Sequence, residues 1–170
     1  MADTQLEQVL DAITAQLKTI TTPEYECDLG GRVYLARMLA GAETRTPYIT
    51  LWQPWDDDGP QILNEQGINR PFTDSTSPRS VISVRHYLQG FAAKHSTDPT
   101  RNAYILHGCI EKCLGRYSKA SNALSVPGLV RIELGYGLVR PAGGEMSMEN
   151  PYCIFTLDII LSVTRGEPYV

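Results

Sequence analysis

The chain has 170 residues, with 15 Lys and Arg against 19 Asp and Glu, a net charge of -4 and 42% hydrophobic residues. That length fits one domain, the acidic balance lacks the electrostatic footprint of a duplex-DNA binder, and the apolar content is far from that of a disordered chain. The longest apolar run, near Ile159 to Val163, is well short of the roughly 20 residues that cross a bilayer.

The N-terminus carries Asp3 and Glu7 and no basic stretch ahead of an apolar core, so it does not read as a secretory signal. Synthesis in a cytoplasm follows as the expectation, and with it reduced thiols at Cys27, Cys109, Cys113 and Cys153.

From Thr4 the apolar positions Leu6, Val9, Leu10, Ile13, Leu17 and Ile20 recur at three- and four-residue spacing, the stripe of an amphipathic helix over about 4–20. Thr4 followed by Glu7 is a capping-box pattern, and Pro23 disfavours helix in its predecessor. Arg32 to Leu35 and Tyr48 to Trp52 are β-prone and read as strands. Residues 53–78 hold Pro54, Pro60, Pro71, Pro78 and the acidic triplet Asp56-Asp57-Asp58, and read as one long loop.

Arg79 to Phe91 alternates Val81, Ser83, Arg85 and Tyr87 against Ile82, Val84, His86 and Leu88, which predicts a long strand. Asp98 before Pro99 is a helix start, and Ile105, Leu106, Cys109, Ile110, Cys113 and Leu114 form the stripe of a second helix over about 99–116. Leu129 to Val139 and Tyr152 to Val163 read as two more strands, joined by a breaker-rich loop over 140–151. The expected fold class is α+β. It is a single domain with a mixed, mainly antiparallel sheet of about five strands packed with two helices, in the order α-β-β-β-α-β-β.

No Walker-type phosphate loop occurs, and Gly135-Tyr-Gly137 lacks the third glycine of a dinucleotide fingerprint and lies in a strand pattern, where glycine marks a bulge or a close backbone approach. Cys109 with Cys113, and His107 with Glu111, have helical spacing for a shared metal. The cysteines fall on the apolar stripe, where core packing is the better reading. Three adjacent carboxylates at Asp56 to Asp58 lack the spaced ligands of a calcium loop and read as a solvated acidic loop. His86 and His95 have no recognisable nucleophile beside them, and Cys27 lies in a turn without a local signature. The sequence therefore predicts no catalytic residue, no cofactor site and no metal site. A structural part remains, because long loops and strand edges are what subunit contacts use.

The layout of the chain resembles the tail-terminator, or tail-completion, proteins of long-tailed bacteriophages. The matching features are an opening helix, LEQVLDAITAQLKTI, strands like GRVYLAR, YITLWQP and SVISVRHYLQGF, the segment DPTRNAYILHGCIEKCLG, and the terminal FTLDIILSVTRGEP with Glu167 in the acidic position. The resemblance spans nearly the whole chain, and 53–78 and 140–151 are longer than the layout requires. It implies a structural virion protein forming a homo-oligomeric ring of six at the head-proximal end of the tail. That ring would halt tube polymerisation, contact the tail tube protein and offer a docking surface to the head-tail connector protein. No membrane partner and no sequence-specific nucleic acid is implied, with DNA passing through the ring unread. A head-completion or neck protein is the alternative in the same class. A small enzyme using Asp56, Asp57 or His86 is the alternative from another.

Overall fold

A computed structural model describes residues 4–35, 46–54, 61–63, 69–71, 79–93, 98, 100–140 and 150–164. Helix α1 runs Gln5–Leu17. Its start is the expected capping box: the Thr4 hydroxyl accepts from the Glu7 amide at 3.2 Å, and the Glu7 carboxylate accepts from the Thr4 amide at 2.7 Å. The helix ends a turn earlier than the sequence predicts. The Thr19 hydroxyl donates to the Gln16 carbonyl at 2.8 Å and Ile20 N–H to the Leu17 carbonyl at 3.1 Å, so the chain tightens while Ile20 stays fully buried on the same stripe.

Gly30 and Gly31 have φ of 52° and 74°, a left-handed turn that suits glycine and delivers the chain into β1, Val33–Leu35. Strand β2, Tyr48–Trp52, lies parallel to β1. Two three-residue strands follow, β3 at Gln61–Leu63 and β4 at Asn69–Pro71, paired with each other. They correct the reading of 53–78 as one loop. Pro71 is on β4, which pairs only with β3 among the described residues, and an edge is where a sheet tolerates proline.

Strand β5, Arg79–Phe91, spans the residues the sequence predicts. Helix α2, Arg101–Leu114, starts where the Asp98 carboxylate accepts from the Thr100 and Arg101 amides, each at 3.1 Å. Pro99 itself lies outside the described residues. The predicted strand Leu129 to Val139 is two strands, β6 at Leu129–Leu134 and β7 at Leu138–Arg140, and β8, Tyr152–Thr164, closes the order.

The sheet is built on β5 and β8, each 13 residues long and antiparallel over their whole length. On its other side β5 pairs β2 through Tyr87 to Phe91 and β3 through Ile82 and Ser83. On its other side β8 pairs β6 and then β7. The α+β class, with a mixed, mainly antiparallel sheet, stands as expected; among the described residues there are two helices and eight strands in place of about five. Alternation puts Ile82, Val84 and Leu88 of β5 and Cys153, Phe155, Leu157 and Ile159 of β8 on one face. Val9, Ile13 and Leu17 of α1 and Leu106, Ile110 and Cys113 of α2 pack in the same buried cluster. On the other face the Arg85 guanidinium binds Asp158 of the directly opposed pair with two hydrogen bonds, 2.8 and 2.9 Å, fixing the register of the two long strands.

Candidate functional site

The residues that carry chemistry go mostly into the core. Cys109 and Cys113 are buried in the cluster under α2, and the Cys113 thiol donates to the Gln16 carbonyl of α1 at 3.3 Å. Burial, then the neighbouring Cys109, pushes the half-buried Cys27 thiol well above its usual range, and burial pushes Cys153 up to about 12. Such thiols stay protonated at neutral pH and are poor nucleophiles and poor metal ligands.

His107 stacks on Phe155 with ring centroids 4.8 Å apart, and its Nδ1 lies 3.8 Å from the Glu111 carboxylate. His86 is a buried residue of β5, on the face that carries Val84 and Leu88. Asp56, Asp57, Asp58 and His95 lie outside the described residues, as does 141–149 of the loop expected at 140–151. Among the described residues no three His, Cys, Asp or Glu come together as metal ligands.

Two features the fold presents to solvent are an edge and a groove, on opposite flanks of α2. The edge begins at the break between β6 and β7. Gly135 N–H donates to the Thr156 carbonyl at 2.8 Å, while Leu138 is already opposite Ile154. Three steps on one strand thus match two on the other, the bulge the sequence suggests. A Cβ on Gly135 would strike Thr156, and one on Gly137 would strike Phe155 and His107. The two glycines let the backbone press onto β8 and α2 and turn Tyr136 outward, where it is 84% exposed. Leu138 is 49% exposed, and Arg140 is exposed at the end of β7.

The outer sides of β6 and β7 differ. That of β6 is covered: Lys119 N–H donates to the Ile132 carbonyl and Asn122 N–H to the Val130 carbonyl, both at 2.8 Å. That of β7 carries no strand among the described residues.

The groove, about 690 Å³, lies between the 23–26 turn and α2. Tyr25, Ile105 and Cys109 give it an apolar lining, and Tyr104 stands beside it 64% exposed. Lys112 ties the turn to the helix, its ammonium donating to the Glu24 carbonyl at 2.7 Å and lying 4.9 Å from the centre of the Tyr25 ring. Glu24 and Glu26 are exposed on one wall, and Arg101 and Asp98 on the other.

No protein-family model matches the chain, and no curated protein is similar to it. Among solved structures, the chain is similar to the sheath/tube terminator of an extracellular contractile injection system, the PVC, in its extended state. The identity is 12% and the TM-score 0.41, with 100% of this chain and 60% of that chain covered. This chain therefore spans about 60% of that protein's length.

Proposed function

We propose that the chain is a structural subunit of a ring that caps a tail tube of the phage type, ends tube polymerisation and presents a docking surface to the head connector. The reading rests on the sequence layout, and the observation that carries it is the β7 edge. A strand whose outer side carries no other strand among the described residues, with Tyr136 and Leu138 in solvent, is a surface suited to another subunit, since exposed edges otherwise invite unregulated pairing. The placement of Cys109, Cys113 and Cys153 in the core and of His107 against Phe155 supports a packing role for these four side chains.

The terminator reading is tested by mixing purified protein with growing tail tubes and locating it by cryo-EM. Density for a ring at one tube end, with tube length limited, is the expected result. Tubes of unchanged length with no added density reject it, and density on the head-proximal side of the neck assigns the chain to head completion instead.

A further inference from the structure

The groove and the edge complement each other chemically. The groove has an apolar aromatic lining, with the exposed carboxylates of Glu24 and Glu26 on one wall. The β7 edge offers an outward tyrosine, a half-exposed leucine and, four residues after the tyrosine, a cation: Tyr136, Leu138 and Arg140. We infer that the groove between the 23–26 turn and α2 receives the β6–β7 corner of a second copy of this chain.

The two surfaces cannot meet within one molecule. Ile105, Cys109 and Lys112 line the groove on one flank of α2, whereas His107 faces Gly137 and Tyr136 on the other. The contact is therefore between copies and joins unlike surfaces, so each subunit retains one free groove and one free corner for the next.

Tyr136 enters the apolar part of the groove, where an aromatic ring is an effective anchor. Arg140 lies toward Glu24 and Glu26 and away from Arg101. The groove's carboxylates, Glu24, Glu26 and Asp98, outnumber its cations, Arg101 and Lys112, so a cation at the docked corner is favoured. Neither bound partner needs a large rearrangement. Lys112 already holds the 23–26 turn against α2, and the Gly135 and Gly137 contacts already hold Tyr136 outward.

This inference rests on the ring-forming reading, which it deepens by naming the contact. It is tested by sedimentation velocity on the full chain over a range of concentrations, with circular dichroism to verify folding. Tyr136→Ser and the pair Glu24→Arg with Glu26→Arg are each expected to raise the concentration of half-association by at least about tenfold. Arg140→Glu should do the same, and combining it with the two glutamate reversals should recover most of the loss. High salt should weaken the wild-type contact. Oligomers formed equally well by the wild type and all folded variants would overturn this contact while leaving the ring reading intact. So would failure of the combined charge reversal to recover association. A wild type that stays monomeric at every concentration, with or without tail tubes, would overturn the ring reading and this inference with it.

Discussion

His107 lies over Phe155 with planes 27° from parallel, so the middle of α2 rests directly on β8. Gly137 is pressed into that contact, because a Cβ would meet both rings. Gly137→Ala should therefore destabilise the monomer by about 1–3 kcal/mol, the usual cost of overpacking. Tyr136→Ser, one residue away and directed at solvent, should change monomer stability by less than about 0.5 kcal/mol. Urea denaturation of both variants checks this, and equal midpoints for the two would contradict it.

The Cys153 thiol gives the protein an alkaline limit. Burial raises its pKa from an ordinary 9.0 to about 12. Between those values the unfolded chain loses a proton that the folded chain keeps, so unfolding is favoured as pH rises. The thiol's contribution to stability should be level below pH 9 and fall above it by up to about 1.4 kcal/mol per pH unit for each thiol so held. Cys153→Ala should lower stability at neutral pH, since the site is fully buried, and make the alkaline fall shallower. An alkaline slope unchanged in the variant would contradict the assignment.

At the acid end the capping box sets the sign. Backbone and side-chain hydrogen bonds from Thr4 hold the Glu7 carboxyl below its ordinary 4.5. Its contribution is complete above pH 4.5 and is lost as pH falls through the lower value of the folded state. Thr4→Ala should remove about 1 kcal/mol at pH 7, and the Glu7 titration followed by NMR should return toward 4.5. A Glu7 titration identical in the two proteins would be the opposing result.

Cys113 joins the helices through its bond to the Gln16 carbonyl. Cys113→Ala should behave as a core truncation costing on the order of 1 kcal/mol, without loss of any bound metal. Elemental analysis of the purified protein together with thermal denaturation measures both, and stoichiometric zinc that disappears in the variant would contradict the packing role.

The elements legible in the sequence are those whose periodicity is local. The α1 stripe, the alternation in β5 and β8 and the Thr4–Glu7 box each lie within one stretch of chain, and each forms there. The three-residue strands β3 and β4 are too short to carry a pattern and become strands only because β5 and β3 supply their partners. The break between β6 and β7 depends on Thr156, Phe155 and His107, all about 20 or more residues distant from the glycines they constrain. Gly135-Tyr-Gly137 does signal a close backbone approach, but its sequence says nothing of where Tyr136 points. The groove has no sequence signature, since its walls, including the Lys112 bond to the Glu24 carbonyl, come from residues far apart in the chain.

The proposed function requires a closed ring. Native mass spectrometry of the full chain, at low salt and over a range of concentrations, tests it most directly. One dominant species of six chains is expected, with smaller assemblies only on dilution. A mass that remains that of a single chain at every concentration, including after incubation with tail tubes, would contradict it.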